Sequence, residues 1–301
     1  MERNHARTEM GKKYEALVFI QLLMVGRRKF TKSDFKIGRQ VKTRETINQK
    51  FDDVVFCYSE SNRKKIITFQ VKHCSKSKTL KSTNFNQRND DFGLEKYFIS
   101  YLDLQYDIQR ISGNNSVEKS QENFRDREIE FLVIFTSADI DLDDLAKNNY
   151  KYNLDEPPGI ADFCIKIEEN EPPKFFQLQE INENLHIKLL EAFNEFEEKK
   201  ITPAEKEDQI KCFLRKFIII MKQPNADILE KKISKVYQTD LLKNPESKFN
   251  GILRDSFEKY QKDLEKLFLM KGGLPSGWLD GETAVQLFQS HQNSILQKLP
   301  L

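Results

Sequence analysis

Cysteine is scarce: four in 301 residues, at positions 57, 74, 164 and 212, with no CxxC pair among them. That spacing excludes a zinc knuckle and offers no disulfide framework, so a reducing, intracellular compartment is expected. Long apolar runs are also missing. The longest, residues 16–25 and 217–221, fall far short of the roughly 20 residues that span a bilayer, so no membrane partner is expected. The first run follows a basic N-terminus, as the core of a signal peptide does. Gln21 interrupts it, however, and Gly26-Arg27-Arg28-Lys29 stands where a small-residue cleavage site would lie. There is one tryptophan, Trp278, assigned to helical packing, and no fixed-period repeat or low-complexity tract.

Charge of one sign is lacking only on average. The formal net charge is +2, which taken alone counts against a nucleic-acid partner. Residues 1–90 carry 21 Lys and Arg against 9 Asp and Glu, whereas residues 91–301 carry 28 against 38. The chain therefore has a basic front and an acidic back. A mean hydropathy of -0.65 is offset by 23 phenylalanines, which a disordered chain would not carry, so a charge-rich globular protein is expected.

Apolar residues at 14, 17, 18, 22 and 25 keep helical spacing and predict a first helix over 11–25, with Glu15 beside the stripe. A basic, irregular segment follows to residue 50. Two strand-like runs, 53–58 and 65–72, flank the polar stretch 59–64 and predict an antiparallel hairpin. A loop over 76–91, an amphipathic helix over 92–111, a linker over 113–127 and a buried strand over 128–136 come next. Pro157-Pro158-Gly159 and Pro172-Pro173 punctuate a region with a strand-like run at 163–167. Beyond 173, helices are predicted over 177–199, 204–221, 225–243, 249–269 and 282–299. Thr202-Pro203-Ala204-Glu205 supplies a capping box, and Gly272-Gly273 with Pro275 stops the fourth of these helices. The expected architecture is an α/β front domain, 1–173, with a mixed sheet flanked by helices, followed by an all-α domain, 174–301.

The chemistry concentrates at Phe51-Asp52-Asp53-Val54 and Phe69-Gln70-Val71-Lys72-His73. Alternation puts Gln70 and Lys72 on one face of a strand and Phe69 and Val71 in the core. A hairpin would bring Asp53, at the start of one strand, beside Gln70 and Lys72 at the end of the other. Mg²⁺, or Mn²⁺ in its place, takes oxygen ligands and few protein carboxylates; Asp53, the Gln70 amide oxygen, the Val71 carbonyl and Glu15 are the candidates. Such an ion polarises a phosphoryl oxygen and acidifies a bound water. Lys72 would position that water and donate to charge developing on phosphate. Asp52 is the reserve for Asp53. His73 falls on the opposite face and is read as structural, and Tyr97 and Tyr101 as core. Arg27, Arg28, Lys29, Lys42, Arg44, Lys76, Lys78 and Lys81 form the expected phosphate-backbone footprint.

At Glu15, Asp53 and Gln70-Val71-Lys72 the chain resembles the PD-(D/E)XK, or restriction-endonuclease-like, nuclease superfamily, with Gln where Glu is commoner, as in Mrr-like members. The resemblance spans roughly residues 10–140 and implies a core of helix, β-hairpin, helix and strand. The front half looks most like effector nucleases fused to sensor or STAND-type ATPase modules in anti-phage systems and arthropod genes. That resemblance implies a Mg²⁺-dependent endonuclease of low sequence specificity acting on DNA rather than RNA, in a defence setting. No GxxxxGK[ST] motif occurs, so the ATPase is not in this sequence, and the resemblance implies either the front of a longer product or a stand-alone relative. The helical part would serve self-association or docking to a sensor. Two other readings stand beside this one: a catalytically silent nucleic-acid-binding module, and a helical adaptor whose front is a scaffold.

Overall fold

A computed structural model describes residues 2–38, 53–74, 78–113, 122–164, 173–196, 202–242, 250–269 and 278–297. Among them, a long helix α1 (Glu2–Lys29) leads into β1 (Phe35–Gly38), β2 (Val54–Glu60) and β3 (Arg63–Lys72). After β4 (Thr79–Leu80) and α2 (Ser82–Asn86), helix α3 (Leu94–Ser112) crosses to β5 (Glu128–Thr136). Then follow β6 (Asp139–Ile140), α4 (Leu142–Lys147), β7 (Lys151–Asn153), β8 (Lys174–Glu180), α5 (Glu183–Phe196), α6 (Pro203–Lys216) and β9 (Phe217–Met221). The C-terminal region is α7 (Ala226–Leu241), α8 (Asn250–Leu269), β10 (Trp278–Asp280) and α9 (Gly281–Leu296).

Eight of these strands form one mixed sheet in the order β10-β1-β2-β3-β5-β9-β8-β7. β1, β2 and β3 form an antiparallel meander, and β3, β5 and β9 run parallel at the centre. The architecture is thus a mixed sheet flanked by helices with a helical region at the C-terminus. Alternate residues of each central strand supply two cores. Phe56, Phe69, Val133 and Ile218 face α1, which α7, α8 and α9 cover in turn. Val55, Ile66, Leu132 and Ile219 face α3, α5 and α6.

The run at 16–25 now has its explanation. From Tyr14 to Met24 only Glu15 escapes full burial, because α1 lies between the sheet on one side and the C-terminal helices on the other. A helix apolar all round is a core helix. Its one polar intrusion, Gln21, donates from Nε2 to the Phe163 carbonyl at 2.5 Å. No helix among the described residues is long and apolar enough to cross a membrane.

Several elements differ from expectation. Residues 217–221, expected at the end of a helix, are the central strand β9, buried on both faces and paired with β5 and β8. Its β-branched run suits that place, whereas the capping box at Thr202 starts a helix that stops at Lys216. Likewise 177–180 belongs to β8, and 163 closes a short 3-10 turn. The sheet therefore runs across the boundary expected near 173. The six-residue hairpin loop expected at 59–64 shrinks to a two-residue turn, Ser61-Asn62, with both φ angles positive (50° and 65°), as a tight hairpin demands. Trp278 lies in β10, edge-on to Phe124 at 5.4 Å, rather than in a helix. The expected stop at 272–275 lies outside the described residues.

Ion pairs tie the start of the chain to the C-terminal helices. Lys13 on α1 bonds Glu230 of α7 at 2.8 Å, and Lys32 meets Glu282 of α9 at 3.2 Å. Arg27 and Arg28 share the carboxylate of Asp240 on α7. Single carboxylates of α7 and α9 thus meet basic side chains of α1 and of the turn that follows it.

Candidate active site

The β2–β3 ladder pairs Val54 with Phe69, so Asp53 and Gln70 face each other one step beyond its end. Gln70 Nε2 donates to Asp53 Oδ2, and the Val71 backbone N–H donates to the same oxygen at 2.7 Å. Asp53 is half-buried at the rim, while Gln70 is 5% exposed. Lys72 continues the Gln70 face; its ammonium lies 3.6 Å from Asp91 Oδ1, with the lysine side chain 23% exposed. A strand residue directs its N–H and its carbonyl to the same side, so the Val71 carbonyl is also turned towards the β2 side.

This junction sits at the carboxyl end of β3, in line with the carboxyl ends of its parallel neighbours β5 and β9. Ligands of α/β sheets bind outside such ends. The rim beyond it is tied down. Cys74 N–H donates to Ser137 Oγ at 3.0 Å, and Asp139 N–H to the Lys78 carbonyl at 2.9 Å. Lys222, at positive φ, pairs with Asp139 at 2.7 Å.

Glu15 is placed differently from the other three. It lies half-buried on α1, which packs on the sheet face opposite Gln70 and Lys72. Its neighbour Tyr14 is fully buried, donates to the Pro224 carbonyl at 3.0 Å and rests on the His73 ring, centroids 4.9 Å apart. α1 therefore passes the carboxyl end of β3, with Glu15 one residue from that contact. Burial lowers the His73 pKa, opposed by the charge of Asp227. Burial also raises the Tyr14 phenol well above its usual range. The Tyr14–His73 contact gives both side chains a place in the packing of α1 against the end of β3.

The basic footprint divides. Arg27 is 12% exposed, stacks on the Phe288 ring and pairs with Asp240; burial lowers its pKa. It is therefore a packing residue rather than a phosphate contact. Arg28 is half-exposed but forks onto Asp240, Nε to Oδ1 at 3.0 Å. Lys29 extends beside the Phe30 and Phe163 rings. Lys78 lies 5.1 Å over the Phe92 ring near the rim, and Lys81 is exposed at the start of α2. Lys42, Arg44 and Lys76 lie outside the described residues, as does Asp52. Tyr101 is fully buried against Phe98 and Phe213, as its stripe implied, and its hydroxyl accepts from Gln105 Nε2 at 2.7 Å.

Asp91 escaped the sequence reading. It looks like one of two capping acids in Asn89-Asp90-Asp91. In the fold neither caps α3; Asp90 closes the turn before it, accepting from Phe92 N–H and from Asn84 Nδ2, each at 2.9 Å. The Asp91 carbonyl takes the Tyr97 hydroxyl at 2.6 Å, and its carboxylate is 70% exposed beside Lys72. A doubled acid of which one suffices to close the turn was the available signal.

Among the described residues no three His, Cys, Asp or Glu side chains gather closely enough to hold a metal. The Asp53 set is of another kind: one carboxylate bonded to the Gln70 amide and the Val71 N–H, two residues that also carry the Oε1 and backbone carbonyl oxygens. These are hard oxygens with few anionic ligands, a set that suits Mg²⁺, which keeps most of its waters. No protein-family model matches the chain, and no curated protein matches it.

Proposed function

We propose that this chain is a metal-dependent nuclease of the PD-(D/E)XK kind that hydrolyses phosphodiester bonds in double-stranded DNA with little base readout. The observation that carries the reading is the junction of Asp53 with Gln70 and the Val71 N–H at the carboxyl end of β3, with Lys72 on the same face. The order α1, three-stranded meander, α3 and parallel β5 supports the same reading, since it follows the core arrangement of that superfamily.

Asp53, the Gln70 amide oxygen and the Val71 carbonyl would hold Mg²⁺ or Mn²⁺, with Glu15 on the neighbouring helix as a further support. When bound, the ion polarises a phosphoryl oxygen and makes a water nucleophilic near neutral pH. The remaining roles belong to the chain. The Asp53 carboxylate is fixed by the Val71 N–H, so its orientation is set before any ligand arrives. The amide orientation at Gln70 follows from hydrogen bonding, and turning it presents Oε1 to a cation in place of Nε2 to Asp53. Lys72, partly withdrawn from water, donates to phosphate oxygen where negative charge grows, and the interaction is stronger there than in open solvent. Lys78 and Lys81 extend the positive rim along the duplex backbone without reading bases.

One observation favours a second reading, a silent DNA-binding module: the position next to Asp53 is a neutral amide already bonded to it. Plasmid and RNA incubated with the chain and Mg²⁺ or Mn²⁺, beside Lys72→Ala, separate the two. Cutting that Lys72→Ala abolishes supports the nuclease, and equal cutting by both proteins sinks the mechanism. Salt-sensitive binding without cutting supports the silent module, and neither activity leaves the adaptor.

A further inference from the structure

The loop that carries Asp91 is built with more care than a surface turn requires. Asp90 N–H and Gly93 N–H close it onto the Gln87 and Asp90 carbonyls at 3.0 and 3.1 Å, and Lys96 Nζ donates to the Asp90 carbonyl. Gly93 is required by close approach, since a Cβ there would stand 2.1 Å from the Gln87 carbonyl oxygen. Phe92 is buried. With Asp90 serving the turn and Tyr97 holding the Asp91 carbonyl, the backbone presents the Asp91 carboxylate to the Lys72 ammonium from the solvent side. Their separation, 3.6 Å, exceeds a normal hydrogen bond, and 70% of the aspartate side chain is in water. It is a fixed anion in weak, breakable contact with the one lysine that shares a face with Asp53 and Gln70.

On the reading of the site given above, we propose that Asp91 stands in the phosphate subsite: its carboxylate occupies the place at Lys72 that a phosphodiester oxygen of the duplex takes, and substrate must displace it. Asp91 is thus a specificity residue. It withholds Lys72 from small or weakly held anions and yields to a polyanion held along the rim by several other contacts. A pair this exposed is weak, so its displacement lowers affinity by about two- to fivefold. A freed carboxylate also recruits a cation, which offsets part of the counterion release on binding. The dependence of log K on log salt is therefore shallower than the lysines alone would give, by up to about one unit.

The test is fluorescence anisotropy on a labelled duplex in EDTA, across a salt series, with the full chain and with Asp91→Asn, Lys72→Ala and the double variant. Asp91→Asn is expected to tighten binding about two- to fivefold and to steepen the salt slope, and to do neither in the Lys72→Ala background. Equal tightening in both backgrounds would reduce Asp91 to a general charge effect and overturn the proposal. So would weaker or unchanged binding by Asp91→Asn while the wild-type chain binds. A wild-type chain that binds no duplex in EDTA overturns the subsite, and plasmid cutting with Mg²⁺ then decides the nuclease reading separately.

Discussion

Asp53 and Val71 meet across the open end of the hairpin, the carboxylate Oδ2 accepting the valine backbone N–H at 2.7 Å. One side chain thus closes the last rung of the ladder and, on the proposed reading, supplies the carboxylate at the centre of the site. The two tasks separate by substitution. Asp53→Asn retains an oxygen acceptor for the N–H but no charge; Asp53→Ala retains neither. Both are expected to lower cleavage by at least about a hundredfold. Only Asp53→Ala leaves the N–H without its acceptor, at a cost of about 1–3 kcal/mol. Thermal melts beside plasmid cleavage check this: a shared loss of activity with a lower melting temperature for the alanine variant alone.

Gln70 is the point at which the sequence departs from the commoner acid, and its burial makes the departure testable. A glutamate there would set a second carboxylate against Asp53 in a site 5% exposed to solvent. Without a cation the two repel, and Gln70→Glu is expected to cost about 1–3 kcal/mol. With Mg²⁺ the repulsion becomes affinity, so the variant should gain more stability from the ion than the wild-type chain does. Melting curves in EDTA and in Mg²⁺ read the difference directly. An equal Mg²⁺ response in both proteins would argue that the ion does not bind at Asp53 and Gln70.

Arg27 and Asp240 are 12% and 15% exposed, and they join α1 to α7 in a largely dry setting under Phe288. Asp240→Asn leaves the Arg27 charge buried without its partner, at an expected cost on the order of 3 kcal/mol. Lys32→Ala, which breaks the exposed contact with Glu282, should cost under about 1 kcal/mol. Urea denaturation separates these values. In DNA binding the order reverses: Lys78→Ala should flatten the salt slope by about one, and Arg27→Ala should leave it unchanged.

What was legible in the sequence was whatever depends on local periodicity. The strand at 128–136 has the bounds of β5, and the stripe at 14, 17, 18, 22 and 25 marks the buried heart of α1. Asp53 and Gln70 were readable as neighbours because a hairpin is the shortest-range tertiary structure, and strand alternation puts Lys72 on the Gln70 face. Legibility ended where partners are distant. Phe217-Ile218-Ile219-Ile220-Met221 has no polar residue to reveal its period, so it continues a helix on paper and completes a sheet in space. β1 is four residues long within a basic stretch, and only β2 and β10 on either side of it make it a strand. Arg27 looks like its neighbours in sequence and differs from them only because α7, α8 and α9 close over it. Asp91 acquires meaning from Lys72, nineteen positions earlier, once the loop before α3 folds back to the rim.

Asp280 ends β10, opposite Lys36 of β1, and caps α9 with its Oδ1 accepting the Thr283 N–H at 2.8 Å. That backbone N–H is the chief reason its carboxyl is held below the usual value of 3.8; burial opposes it, and the Thr283 side chain and the Lys36 charge add smaller lowering effects. Because the folded carboxyl is the stronger acid, the unfolded chain binds more protons through the intervening window, and stability rises with pH across it. The contribution is complete above the unfolded value and is lost as pH falls through the lower folded one. Asp280→Ala should therefore be less stable than wild type by about 1 kcal/mol at pH 7. The gap should narrow as the pH drops below 3.8. Asp280→Asn keeps an acceptor without a titrating charge, so its stability relative to Asp280→Ala should hardly change over the same range. Urea midpoints of the three proteins at neutral and acid pH make the comparison. A wild-type advantage over Asp280→Ala that persists undiminished in acid would place the cap's contribution in the hydrogen bond alone, not in the ionised carboxylate.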